Sequence, residues 1–226
     1  MRRGFTVVEL MITVGIVGLL AAIALPNFAR FQARSKQSEA KVNLKAMFTA
    51  QKAFVSERDR LSTLAAEMGF SPERNNRYAY FTGQGGSQED RSTATPAAPL
   101  PDSTAIQFDS FRYLDPAIFN AARINGEPTL SPCDLALPGI QALGGGAGGG
   151  GGHSGPGGGD GDVDGGSAGP PIWTGMAQGQ IDIDDTLDLW SISSDARSVG
   201  ATTACASAGA ANPSGEPLVE TNDVIN

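Results

Sequence analysis

The first apolar run of the chain is long and almost free of charge. Residues 5–25 form a stretch of 21 residues in which Glu9 is the only charged side chain. At about 1.5 Å of rise per residue, a helix of this length spans about 30 Å, the thickness of a bilayer core. The run therefore predicts a helix that crosses a membrane, although a carboxylate inside such a helix is costly.

Beyond Pro26 the pattern becomes amphipathic. Apolar and amide side chains recur at steps of three and four residues, which is the spacing of one helix face. No proline or glycine interrupts residues 27–58. We predict one helix over residues 5–58, whose second half packs under a globular head through Ala33, Gln37, Ala40, Leu44, Met47, Gln51 and Phe54.

Two residues in the first half of this helix weaken it. Pro26 removes a backbone donor, and Gly18 adds backbone freedom, so either one favours a kink or local melting. Close approach of another helix at the glycine is an alternative reading.

The remaining residues, 59–226, predict an α+β head. Short stretches with aromatic and β-branched residues, bounded by turn signals, predict strands at 76–82, 172–177 and 187–193. A small antiparallel sheet laid on the long helix would bury Trp173 and Trp190. Residues 106–143 fit a strand followed by a short helix.

Two stretches predict flexible inserts in the head. Residues 83–105 are rich in serine, threonine, proline and glycine, and residues 144–171 are richer still in glycine. Sixteen of the 30 glycines lie between residues 144 and 169, a composition that buries too little surface to order itself.

Charge is distributed unevenly along the chain. Residues 1–60 hold ten Lys or Arg and four Asp or Glu, whereas residues 61–226 hold six and twenty. An acidic head argues against nucleic-acid binding and favours a soluble exported surface. Arg2 and Arg3 precede the apolar run, so the positive-inside rule places that end in the cytoplasm and the head outside.

Catalytic chemistry has little support in the sequence. His153 is the only histidine and lies among glycines, where no ordered triad can be built. Phosphate-loop and zinc spacings are absent from the sequence. We therefore predict that the chain is not an enzyme and needs no cofactor.

One acidic cluster leaves room for a metal ion. Four carboxylates lie in and just before the start of the last predicted strand, and carboxylate oxygens are the ligands that calcium prefers. A solvated turn, in which aspartates accept bonds from nearby backbone amides, explains the same pattern. The candidate calcium ligands are Asp182, Asp184, Asp185 and Asp188.

The N-terminal stretch resembles a known processing site. Gly4-Phe5-Thr6-Val7-Val8-Glu9-Leu10, after a short basic leader, is similar to the cleavage and methylation site of type IV pilins and of the pseudopilins of type II secretion. The resemblance implies removal of residues 1–4 by a prepilin peptidase and N-methylation of Phe5. It also implies the pilin fold, a long helix packed on a small sheet, and a loss of helical order between Gly18 and Pro26 when the subunit leaves the membrane for the filament.

The same resemblance gives Glu9 a role and the chain its partners. When copies stack, the Glu9 carboxylate of one meets the new N-terminal amine of another, and this pair sets the packing position. The implied partners are further copies of the chain, the peptidase, a pilus assembly platform and the inner membrane. The protein would wait there as a single-pass subunit before it joins an extracellular pilus.

Other segments resemble a narrower group. The stem residues 27–54, together with "SPERNNRYAYF" and "DLWSIS", are similar to the major pilins of gliding myxobacteria. That likeness implies a filament that serves adhesion and motility. Two alternatives stay open at this point: a pseudopilin or minor pilin of a short fibre, and a membrane-tethered calcium-binding or adhesive module.

Export also bears on the two cysteines. A domain outside the cytoplasm is exposed to oxidising conditions, and pilins often close a C-terminal loop with a disulfide. The expected bridge joins Cys133 to Cys205. Closing a loop of this length would contribute about 4 kcal/mol.

Overall fold

The computed structural model describes residues 4–95, 100–113, 115, 119–128, 139–143, 169–181, 186–198 and 211–221. The predicted insert at 144–171 therefore lies almost wholly outside the described residues.

One helix, α1, dominates the molecule and runs over Val7–Arg58. Thr6 caps its start, because the Thr6 side chain accepts a hydrogen bond from the Glu9 N–H at 3.2 Å. Asp59 ends it in a left-handed conformation with φ 54°, and its N–H donates to the Val55 carbonyl. The predicted helix is confirmed, and it starts two residues late because the cap keeps residues 4–6 outside it.

In the single chain α1 has no break, so the loss of helical order between Gly18 and Pro26 that the resemblance implies for the filament stays a prediction. The helix is continuous through Gly18 and Pro26. Proline removes the one hydrogen bond that its own N–H would donate, but the flanking bonds persist. The Asn27 side-chain amide also donates to the Ile23 carbonyl at 3.1 Å, which adds a bond beside the proline.

A mixed but mainly antiparallel sheet packs on the second half of α1. Its strands follow the order β2-β3-β1-β5-β6-β9, β4 also pairs with β5, and only β2 and β3 run parallel among the described strands. Two short helices and a small β7-β8 ribbon complete the described head. The elements are α2 (Ala65–Met68), β1 (Tyr78–Phe81), β2 (Ser87–Glu89), β3 (Ser103–Ile106), α3 (Ala121–Ile124), β4 (Gly139–Leu143), β5 (Gly169–Gly179), β6 (Asp188–Ser193), β7 (Arg197–Ser198), β8 (Ala211–Asn212) and β9 (Leu218–Thr221).

The three predicted strands exist as β1, β5 and β6, and α3 confirms the short helix predicted within 106–143. The strand predicted before that helix is wrong in position, because β3 ends at Ile106, where the predicted strand begins. The prediction that 83–105 is a flexible insert is wrong for its described residues, because it contains β2 and most of β3. Arg91 in the same segment is only 2% exposed and donates to the Pro72 carbonyl and to Asn76 Oδ1. Strand β5 also starts at Gly169, inside the second predicted insert.

Both faces of the sheet are covered. The face toward α1 carries Tyr78, Tyr80, Trp173 and Trp190, which pack with stem residues, so both tryptophans lie in the core as predicted. The opposite face forms a second cluster from Ala79, Phe81, Ala105, Phe108, Ile124, Met176 and Leu189. Because successive side chains of β1 point to opposite faces of the sheet, β1 contributes to both hydrophobic clusters.

Glu39 is a half-buried acid at the edge of the contact between α1 and the sheet. Its Oε1 accepts a hydrogen bond from the Arg77 backbone N–H at 2.8 Å. Burial raises the pKa of the Glu39 carboxyl above its ordinary value of 4.5, and the Arg77 N–H and charge offset this only in part. The ionised carboxylate therefore costs stability at neutral pH.

We predict that Glu39→Gln raises the unfolding midpoint of the full chain in detergent at pH 7. The amide keeps an acceptor for Arg77 and removes the buried charge. Because the folded-state pKa is raised, the wild type loses stability as pH rises through that pKa. The advantage of the variant should therefore vanish below about pH 4.

Glu67 provides a control of opposite sign. The Ser62 hydroxyl and then the Arg60 guanidinium lower the pKa of the Glu67 carboxyl. Glu67→Gln should therefore lose stability at neutral pH, and the loss should fade as the pH falls through the lowered pKa. A lower midpoint for Glu39→Gln at pH 7 would contradict this account.

Candidate functional site

The residues before α1 form an accessible strip of backbone. Gly4, Phe5 and Thr6 lie outside the helix, and Phe5 is 81% exposed. Apart from its chain neighbours, no described residue has an atom that would lie within 4 Å of a Cβ at Gly4. Proteases act on exposed, non-helical segments. The bond between Gly4 and Phe5, which the resemblance implies as the cleavage site, is therefore accessible to a protease.

The first half of α1 presents an uncovered apolar surface. The exposed fractions of its large apolar side chains run from 56% at Ile16 to 75% at Val7. Among the described residues, α1 is the one helix long and apolar enough to cross a membrane, and none of its most apolar stretch is buried. A surface of this kind needs lipid or other protein chains around it.

Glu9 lies within this apolar surface, in the first turn of α1. Its side chain is exposed, and within the described part of the chain no Lys or Arg forms an ion pair with it. The positive end of the helix dipole favours an acid here by about 0.3–1 kcal/mol, which is less than the cost of a charge in lipid. Among the described residues nothing compensates this charge in full, and another molecule could do so.

The second half of α1 is held by the head of the same chain. Of the predicted face, Gln37, Ala40, Leu44, Met47, Gln51 and Phe54 are buried and Ala33 is half-buried, which confirms the predicted face. Polar bonds add to this packing. Lys36 Nζ donates to the Ile181 carbonyl at 2.8 Å, and Asn43 Nδ2 donates to Tyr80 Oη at 2.8 Å.

Asp188 ties the stem to two strands. Its Oδ1 accepts from Gln37 Nε2 at 2.9 Å, and its Oδ2 accepts from Tyr78 Oη and from Trp190 Nε1, both at 2.6 Å. A buried carboxylate needs such donors, because burying it unpaired is expensive. Burial, and then the Asp188 charge, raises the pKa of Tyr78 well above 10.0, so Tyr78 stays a donor.

This position bears on the calcium prediction. Both Asp188 oxygens are bonded to interior donors, while Asp182, Asp184 and Asp185 lie outside the described residues. Within the described ranges, no three His, Cys, Asp or Glu side chains are grouped to hold a metal ion. The structure thus gives Asp188 a role that the sequence did not indicate, and calcium binding at the other three stays a prediction.

Cys133 and Cys205 also lie outside the described residues, so their disulfide stays a prediction.

The role of Asp188 had one signal in the sequence: Gln37 and Gln51 interrupt an apolar helix face, and a buried amide needs a partner. Gln51 finds its partner in the Ser62 carbonyl at 3.1 Å.

Comparison with known proteins adds family models to this geometry. Residues 1–25 match the model of the prokaryotic N-terminal methylation motif, which covers the exposed strip and Glu9. Residues 31–169 match the model described as type IV pilin PilA, which covers more than half of the chain.

Individual relatives agree with the family models. The type IV major pilin protein PilA of Myxococcus xanthus (strain DK1622) is 58% identical over 113 residues, which are 50% of this chain and 51% of that protein. Fimbrial protein EcpC of Eikenella corrodens is 56% identical over 39 residues, 17% of this chain and 26% of EcpC. Type IV major pilin protein PilE1 of Neisseria gonorrhoeae is 52% identical over 40 residues, 18% of this chain and 24% of PilE1.

The chain thus spans about half the length of the Myxococcus relative and about a quarter of the other two. The long capped helix, the exposed strip before it and the sheet on its second half agree with both family models. The chain belongs to the type IV pilin PilA family.

Proposed function

We propose that the chain is the major structural subunit of a type IV pilus. The observation that carries this proposal is the uncovered apolar half of α1 with Glu9 inside it and no compensating charge from the described residues of its own chain. The acyl chains of lipid can cover the apolar surface, but they cannot neutralise the carboxylate. Another copy of the chain can do both.

Processing comes first in this account. A prepilin peptidase removes residues 1–4, and the freed amine of Phe5 is methylated and carries a positive charge. The exposed, non-helical backbone at Gly4 and Phe5 supports this step, as does the methylation-motif match. The new amine then lies four residues before Glu9, at the start of the same apolar helix.

Assembly brings each Glu9 a positive charge that the described residues of its own chain do not supply. The Glu9 carboxylate of one subunit pairs with the Phe5 amine of its neighbour while their apolar helices pack together. In a dry environment a close pair is strongly attractive, and a misplaced neighbour leaves both charges unpaired. The pair therefore selects one packing offset between subunits.

The subunit waits in the inner membrane until an assembly platform extracts it. The arginines of the leader favour a cytoplasmic N-terminus and an outward head. Because the Asp188 bonds hold the head to the second half of α1, load applied to the head passes into the packed helices. This suits a filament used in adhesion and motility, and it requires no catalysis by the subunit.

We predict that the mature chain from sheared cell-surface filaments lacks residues 1–4 and carries one methyl group on the Phe5 amine. Intact-mass and N-terminal peptide mass spectrometry measure both changes. A chain that keeps Met1 would contradict the proposed processing.

We predict that Glu9→Ala inserts into the inner membrane at the wild-type level but lowers filament yield by about tenfold or more, because a loss of 1.4 kcal/mol per contact is tenfold in affinity. Immunoblots of membranes and electron microscopy of sheared filaments measure the two quantities.

Glu57→Ala is the matched control, because it removes an exposed acid at the other end of the same helix. It should leave yield unchanged. Normal filaments from Glu9→Ala would refute the role of the carboxylate, and a protein that stays monomeric in the membrane even as wild type would favour a tethered module instead.

A further inference from the structure

The second half of α1 carries a row of exposed cations. Arg30, Arg34, Lys41, Lys45 and Lys52 are all exposed, and we call them the basic stripe. At about 100° per residue, these five positions fall within about 60° of one another around the helix. Along the axis they extend for about 33 Å.

The head of the same chain neutralises little of this stripe. Lys45 pairs with Glu216 at 3.1 Å, but both side chains are about half exposed, so the pair is worth little. Lys41 lies over the Trp190 ring at 4.7 Å and Lys52 over Phe48 at 5.6 Å, contacts that leave the charges uncompensated. Among the described residues, Arg30 and Arg34 have no acidic partner.

The head has the opposite charge. Residues 61–226 contain twenty acids and six cations. Two of those cations are already paired within the head: the buried Arg91 pairs with Glu89, and the half-buried Arg74 pairs with the buried Asp109. Eight acids in the described part of the head are exposed, whereas of its described cations only Arg112 is exposed. The described surface of the head is therefore acidic, and such heads repel one another when packed side by side. The exposed acids are Glu67, Glu73, Asp90, Asp102, Asp115, Glu127, Asp195 and Glu216.

We propose that the basic stripe of one subunit docks against the acidic head surface of a neighbouring subunit in the filament. This inference rests on the proposed function, and it adds a second charged contact, outside the membrane-derived core. The stripe flanks the face that the subunit's own head covers, because Gln37 and Leu44 lie less than a quarter turn from its centre. It therefore lies beside its own head, where a neighbouring head can reach it.

An anionic lipid surface fits the stripe less well. If the apolar half spans the membrane, the stripe runs along the membrane normal. Arg30 lies about 8 Å beyond Leu25 along the helix, but Arg34 lies about 14 Å beyond it and the lysines farther still. The headgroup layer is only about 5–8 Å thick on each side, so it cannot contact most of the stripe.

Zero-length crosslinking of whole filaments tests which molecule the stripe touches. Cells moved from ordinary to heavy-nitrogen medium make filaments from both kinds of subunit, and a carbodiimide then joins amines to neighbouring carboxylates. We expect crosslinks between a light Lys41, Lys45 or Lys52 and a heavy acidic peptide from residues 61–226. If these lysines crosslink only to acidic peptides with the same isotope label, the contacts lie within one subunit and the proposal is overturned.

A paired charge variant tests the energetic contribution. Arg34→Gln/Lys52→Gln removes two stripe charges that lie five turns apart on one line, and Arg58→Gln/Arg112→Gln removes two exposed charges off the stripe. Filaments are heated in about 0.01 M and about 1 M NaCl, which shortens the screening length from about 30 Å to about 3 Å.

We expect wild-type and control filaments to dissociate at a lower temperature in high salt. In low salt, filaments of the stripe variant should dissociate at a lower temperature than both. Their dissociation temperature should also change less with salt. If wild type forms no filaments, the proposed function fails; if all three filaments behave alike, only this inference fails. Stripe lysines shielded from acylation in phosphatidylglycerol vesicles but reactive in filaments would assign the stripe to lipid and overturn it.

Discussion

The organisation of this molecule depends on one acid that its own chain leaves uncompensated within the described residues. Glu9 lies in an exposed apolar helix, where a charge costs free energy in lipid and gains little from the helix dipole. Hydrophobic packing alone does not fix how far one smooth helix slides along another. A charge pair that forms at only one offset supplies that specificity. The acid is unfavourable in a single copy, but between two copies it determines how their helices align.

The same helix has two partners, and the boundary between them lies near residue 33. Up to Leu25, α1 is largely exposed and, apart from Glu9, uncharged; after residue 33, one face is buried under the head. Gln37 and Asp188 hold that second half, with Tyr78 and Trp190 completing the shell of donors. The faces of the second half that remain exposed carry the basic stripe, so one helix presents an apolar core segment, a covered face and a charged flank.

Much of this could be predicted from sequence, because it depends on local periodicity. The helix bounds and the buried face follow from three- and four-residue spacing, and β1, β5 and β6 follow from short alternating stretches. The segment 83–105 could not be predicted in this way, because β3 is defined by pairing with β1 across 20 or more residues. Continuity at Pro26 and the role of Asp188 depend on neighbouring bonds and on tertiary partners, which the sequence does not display.

The most direct measurement is the structure of purified filaments by electron cryomicroscopy at near-atomic resolution. The distance to measure joins the Glu9 carboxylate of one subunit to the N-terminal amine of Phe5 in its neighbour. This account predicts an ion pair, with nitrogen and oxygen within about 4 Å. A Glu9 side chain that faces only apolar groups or solvent, with no amine beside it, would contradict the central claim.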